Sequence, residues 1–164
     1  IFFAQKIDYA QHIDRQACAD LALDTFPYNG HTTTSDSLWG GLPVLTCKGT
    51  NFASRVSESL LNAIGLDGLV AQDPTDYVET AVELCARPDL LAKYREQIRQ
   101  SRFMQPLFDS DRFCRHLESA FETMVERARA KIQPDHFDVP PLPKRSHPFA
   151  SVCDQGMVTQ LSDP

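Results

Sequence analysis

The chain has 164 residues, 42% apolar and 23% charged, which is ordinary for a globular protein and enough for one domain with a proper core. Its net charge of −6 and pI near 5.3 argue against a nucleic-acid surface, since phosphate backbones select basic ones, but leave room for a basic pocket around a nucleotide. No apolar run reaches the ~18 residues of a membrane span, and no basic-then-apolar signal opens the chain.

Ile1-Phe2-Phe3-Ala4 reads as a strand that begins at once, as in a piece cut from a longer polypeptide. Residues 9–20 follow a helical pattern, with Ala10, Ile13, Ala17 and Leu21 spaced by three or four, and His12 and Arg15 share one face. Leu21-Ala22-Leu23 is a second short strand, and Pro27 and Asn29-Gly30 supply turn chemistry after it. A short helix over 33–39 ends at Gly40-Gly41, and residues 43–46 give a third strand before a loop at 48–51. Residues 52–64 return to helical spacing through Ala53, Val56, Leu60 and Ile64, closed by Gly65, and residues 69–71 form a fourth strand. Asp73-Pro74 is a strong helix start, an N-cap carboxylate followed by proline at the first helical position. That helix stops before Pro88, another covers 90–100, and a last one over 111–131 carries Phe113, Leu117, Phe121, Met124 and Ala128 as its core stripe. From residue 133 onward proline and polar residues dominate.

Strands alternating with helices predict an α/β fold, a Rossmann-like parallel sheet flanked by helices, of about four strands. The division expected is a sheet domain over residues 1–132 and a Pro-rich extension over 133–164. Ligands of such sheets bind beyond the carboxyl ends of the strands, where the turn Asn29-Gly30-His31-Thr32-Thr33 lies. No GxGxxG is present, so a dinucleotide fold of the usual kind is unsupported.

Thr32 and Thr33 stand at the expected helix start, where hydroxyls cap free N–H groups and the helix end attracts an anion such as a phosphate. Asp36 is three residues beyond Thr33, one turn deeper on the same face, where its carboxylate can accept two hydroxyls of a ribose. The plainer reading is a capped turn with no ligand, and local physics does not separate the two.

Five widely spaced cysteines, Cys18, Cys47, Cys85, Cys114 and Cys153, form no CxxC pair; they predict reduced, mostly buried thiols in a cytosolic protein, without disulfide frame or zinc site. His116, His136 and His147 lack metal spacing and read as surface residues. Nothing supports pairing Cys47 with His31 as nucleophile and base. Trp39 and the aromatics of the last helix read as core.

The run Leu23-Asp24-Thr25, Asn29-Gly30-His31-Thr32-Thr33, Asp36-Ser37-Leu38-Trp39-Gly40-Gly41, Pro43-Val44 and Phe52-Ala53-Ser54-Arg55-Val56 resembles the O-GlcNAc transferases, glycosyltransferase family 41. Pro106-Leu107-Phe108-Asp109 and Pro134-Asp135-His136 resemble that family's C-terminal region, so the likeness spans residues 1–137. It implies a GT-B architecture, two Rossmann-like domains with the active site between them. This chain would be the C-terminal portion of the second, UDP-sugar-binding domain. The implied reaction moves GlcNAc from UDP-GlcNAc to a Ser or Thr hydroxyl of a protein with inversion and no catalytic metal or other cofactor.

The resemblance assigns Thr32 and Thr33 to the UDP diphosphate, His31 to the same loop through its backbone, and Asp36 to the ribose. It assigns His12 to the uracil, with Arg15 beside it. Lys6 is a looser match to a basic residue near the ribose, because it lies six residues before His12. Lys48 stands where the family often has proline. The general base is not identified. Family members usually carry tetratricopeptide repeats and the first catalytic domain upstream, and these 164 residues hold neither. The acceptor proteins would meet those missing regions, and neither nucleic acid nor membrane is an expected partner. Two other functions fit the same residues: a nucleotide-binding module without catalysis, and a GT-B transferase for another nucleotide sugar.

Overall fold

A computed structural model of the chain describes residues 1–149. The elements are α1 (Tyr9–Asp14), β1 (Ala22–Leu23), α2 (Thr32–Trp39), β2 (Val44–Cys47), α3 (Val56–Ile64), β3 (Val70–Ala71), α4 (Pro74–Ala86), α5 (Pro88–Ser101) and α6 (Ser110–Arg129). Three parallel strands pair in the order β1-β2-β3, with Ala22 opposite Val44 and Thr46 opposite Val70. The central strand is buried along its whole length, which explains why Val44-Leu45-Thr46-Cys47 shows no polar alternation. Leu45, Cys47, Ala71 and Tyr77 form one packed cluster, with Leu21 and Ala81 against it. No helix among the described residues is long and apolar enough to cross a membrane.

Local chemistry sets most helix ends. Asp73 accepts the N–H groups of Thr75 at 2.8 Å and Asp76 at 3.0 Å, and Pro74 opens α4. Gly65 closes α3 at φ 82°, a left-handed conformation that a Cβ disfavours. The pattern over 52–64 is not one helix: Asn51 accepts Ser54 N–H at 2.9 Å while Ser54 Oγ accepts Asn51 N–H at 3.2 Å, locking a tight turn before α3 begins. Likewise α1 gives way after Asp14 to a 3-10 turn over Arg15–Cys18.

Four expectations are corrected. Residues 1–8 form no strand, and Ile1, Phe2 and Phe3 are exposed, because no neighbouring strand among the described residues offers them a ladder. The sheet therefore has three strands. The stripe of α6 is not core: no residue of α6 is buried, and Phe113 is 65% and Phe121 53% exposed. Among the described residues of its own unit, α6 has only a short 3-10 turn and an extended segment beside it, and neither supplies an apolar face to bury the stripe. Trp39 is only half-buried, with the Arg102 guanidinium 5.7 Å from its ring centroid. Finally, Cys18, Cys85 and Cys114 are exposed and only Cys47 of the described cysteines is buried, since the first three sit on helical or turn positions that face solvent. Cys153 and residues 150–164 of the extension lie outside the described residues.

The chain forms two compact units, Ile1–Arg102 with the whole sheet, and a second from Phe103 onward that groups α6 with the proline-rich segment. In the second unit Arg112 donates to the carbonyls of Pro143, at 2.8 Å, and Leu142, and His116 Nε2 accepts Leu142 N–H at 3.1 Å. Asp109 is buried; it caps α6 through Arg112 N–H at 3.0 Å and pairs with Arg145. The hydrogen bond from Arg145 holds the Asp109 carboxyl below the usual carboxylate range. A depressed folded-state pKa contributes stability above the ordinary value near 4 that disappears as pH falls through the folded value. Asp109→Asn, which keeps the cap, should therefore lower the thermal midpoint at pH 7, and the gap to the parent chain should close below about pH 4. A gap that stays constant down to pH 2 in circular dichroism melts would rule out the ion pair as its cause.

Candidate functional site

The turn from β1 to α2 is built on the Asp24 carboxylate. Its Oδ1 accepts the N–H groups of Thr25 at 2.9 Å and Gly30 at 2.7 Å, and its Oδ2 accepts the Thr46 hydroxyl of β2 at 2.7 Å. Gly30 tolerates no side chain: a Cβ there would lie 2.6 Å from the hydroxyl oxygens of Thr33 and Thr34. Asn29 is buried, donating its N–H to Ala53 at 2.9 Å and its amide to the Thr25 carbonyl at 3.0 Å. From α4, the Tyr77 hydroxyl donates to the Asp24 carbonyl at 2.8 Å; burial first, then the charge of Asp24, pushes that phenol up to about 12.

This frame delivers the chain to α2. His31 occupies the N-cap position and makes no side-chain capping bond. The expectation that Thr32 and Thr33 cap the helix is corrected: both lie inside its first turn, whereas a capping hydroxyl must come from the residue before it. Their side chains are exposed and make no hydrogen bond among the described residues, and the N–H groups of that turn have no intrahelical acceptor. Thr34 differs. It is buried, with its Oγ1 2.9 Å from Ser57 Oγ, and Ser57 Oγ donates to the Gly30 carbonyl at 2.8 Å. The His31 ring stacks on Tyr28 with centroids 5.2 Å apart and meets Phe52 edge-on at 6.0 Å, and its Nε2 is buried without a partner.

A second group joins from α1. Asp36 Oδ1 accepts the Tyr9 hydroxyl at 2.8 Å, and Asp36 Oδ2 lies 4.0 Å from His12 Nε2. Arg15 approaches His12 Nδ1 at 2.9 Å; a guanidinium only donates, so Nδ1 is the accepting nitrogen. Arg15 also donates to the Gln5 carbonyl at 2.9 Å. His12, Arg15 and Asp36 are thus gathered into one chain of polar contacts. Lys6 is exposed and its side chain makes no contact with them. Neither Tyr9 nor Asp24 carries a residue type or spacing that marks it as part of the site; both belong to it only through the contacts above.

Cys47 is no nucleophile in waiting. Its thiol is buried, and desolvation, followed by the charges of Asp73 and Asp76, pushes its pKa up, away from thiolate. Among the described residues no group of three or more His, Cys, Asp or Glu side chains is placed to hold a metal ion.

The helix start at the end of the β1–α2 turn lies where open α/β sheets take their ligands, and the fold class of this unit is a Rossmann-like parallel sheet flanked by helices. The chain belongs to glycosyl transferase family 41, whose model matches residues 1–117. It is 39% identical over 116 residues to the probable UDP-N-acetylglucosamine–peptide N-acetylglucosaminyltransferase SPINDLY of Solanum lycopersicum, covering 71% of this chain and 12% of that protein. The corresponding probable enzyme SEC of Arabidopsis thaliana is 37% identical over 140 residues, 85% of this chain and 14% of the relative. A mutant O-GlcNAc transferase from Thermobaculum terrenum aligns in structure with a TM-score of 0.58 at 32% identity, over 76% of this chain and 22% of that one. The fold is therefore that of part of a GT-B glycosyltransferase, and the chain spans about an eighth of its curated relatives' length.

Asp24→Ala removes the acceptor of three donors at once and should destabilise the sheet unit by about 2–4 kcal/mol, given the cost of stranded partly buried donors. Urea unfolding measures this. A loss under about 0.5 kcal/mol would mean that the turn holds without the carboxylate.

Proposed function

We propose that this chain is the donor-binding part of an inverting glycosyltransferase that moves GlcNAc from UDP-GlcNAc to Ser and Thr hydroxyls of proteins. The observation that carries the reading is the placing of His12 on α1, with Arg15 of the following turn bonded to it, beside Asp36 on α2, one turn from the exposed Thr32-Thr33 start of the same helix. That spacing suits one nucleotide diphosphate. Asp36 would take the ribose diol, His12 and Arg15 the uracil, and the first turn of α2 the phosphates. His31 would line the loop, and Lys6, whose side chain makes no hydrogen bond or ion pair with the cluster, would contribute charge near the ribose.

Transfer builds negative charge on the departing UDP. The N–H groups of α2 and the hydroxyls of Thr32 and Thr33 would stabilise that charge, and the positive end of the helix adds to it. No metal is invoked in this reading. The rest of the site, including the acceptor groove and the general base, would come from regions beyond this chain, with upstream tetratricopeptide repeats in the intact protein and a cytoplasmic setting.

The chain alone should bind UDP weakly, with Kd of millimolar order (about −4 kcal/mol), and transfer no sugar. An NMR titration should move the amides of residues 30–37, and His12→Ala should weaken UDP far more than inorganic pyrophosphate. Equal weakening of both ligands would remove the uracil role. Asp36→Ala should cost about 1.5–3 kcal/mol of UDP affinity by calorimetry in the intact enzyme, as for hydrogen bonds to a charged group. Unchanged affinity with the fold intact would leave Asp36 a structural carboxylate.

A further inference from the structure

We infer that Tyr9 is a positioning residue of the donor site, its hydroxyl holding Asp36 in the orientation that receives the ribose. The inference rests on Asp36 as the ribose carboxylate. The bond is 2.8 Å long and ties two elements 27 residues apart in the chain. An ionised carboxylate only accepts, so the phenol donates.

Packing does not explain Tyr9. The residue is 66% exposed, and Ile13 is the buried residue of α1. Its ring adds little to the core, and the hydroxyl is the part with a defined partner. Asp36 itself has a short side chain that is only 13% exposed, with Oδ1 toward Tyr9 and Oδ2 toward His12. The Tyr9 bond is the one side-chain hydrogen bond to Asp36 among the described residues, and it holds the carboxylate through Oδ1 while Oδ2, 4.0 Å from His12 Nε2, is left to receive a ligand. A carboxylate offers about four lone-pair sites, so one bond to Tyr9 leaves room for both hydroxyls of a diol. Tyr9 therefore stays in place when the ribose docks, and the ligand meets a carboxylate whose rotamer is already chosen. The hydrogen bond to Asp36 also raises the Tyr9 pKa, in keeping with a phenol that donates to a carboxylate.

The test compares the chain with Tyr9→Phe, which deletes one exposed oxygen and keeps the ring. Both are titrated by NMR with UDP and with 2′,3′-dideoxy-UDP, which lacks the diol. Tyr9→Phe should weaken UDP about three- to tenfold, the scale of one hydrogen bond, and leave the dideoxy nucleotide unchanged. Equal loss for both nucleotides would make Tyr9 a merely structural tie. Tighter UDP binding would mean that the phenol occupies the ribose position and must leave. Either result overturns the inference, as does an unchanged UDP affinity. If the parent chain binds neither nucleotide, the donor reading itself fails and takes this inference with it.

Discussion

The ligand-facing end of the sheet depends on one side chain, the Asp24 carboxylate. It joins the end of β1, the far side of the turn at Gly30, and Thr46 on the central strand. Those three anchors close the turn over six residues and so set the direction in which α2 leaves. The absence of a side chain at Gly30 is the complement of that closure, because the threonine hydroxyls and the carboxylate occupy the space. Tyr77 then fixes the Asp24 backbone from α4, tying the turn to the core cluster. Asp24 also brings negative charge close to the positive end of α2. An anion bound there would meet that charge, which gives the exposed hydroxyls of Thr32 and Thr33 a larger share of the holding.

Where structure is punctuated locally, the residues announce it. Asp73-Pro74, Gly65 and Gly40-Gly41 each combine a dihedral preference with a hydrogen-bond need, and a helix begins at the first and ends at the other two. Strand existence is another matter. Ile1-Phe2-Phe3-Ala4 has the composition of a strand, but pairing requires a neighbour that local composition cannot supply. The stripe of α6 shows the same limit: periodicity marks a face suited to burial without saying what covers it. Exposed Cys18, Cys85 and Cys114 follow likewise, since a thiol's residue type says little about which side of a helix it falls on.

The candidate site divides similarly. His12, Arg15, Asp36 and the paired threonines stand out through residue type and the family resemblance. What gathers them is the contact of α1 with α2, across the intervening strand and turn. Tyr9 and Asp24 act through partners 27 and 22 residues away, and no spacing rule reaches that far. Capping is hard to read from the threonines for a related reason: the N-cap position falls on His31, which makes no capping bond. Consecutive threonines all look like caps, and only the exit geometry of the turn decides which residue stands outside the helix.

The run Thr32-Thr33-Thr34 also has a built-in polarity. Ser57 spends its single hydroxyl proton on the Gly30 carbonyl, so it can only receive from Thr34. The proton of Thr34 must therefore point toward α3, and the two hydroxyls form a one-way relay ending on the turn. Valine at position 34 would match the shape of threonine but break the relay at its source, whereas serine would preserve its sense. Three identical side chains in a row thus play different parts: Thr34 is buried and committed to Ser57, while Thr32 and Thr33 are exposed, with the Thr33 hydroxyl set over Gly30.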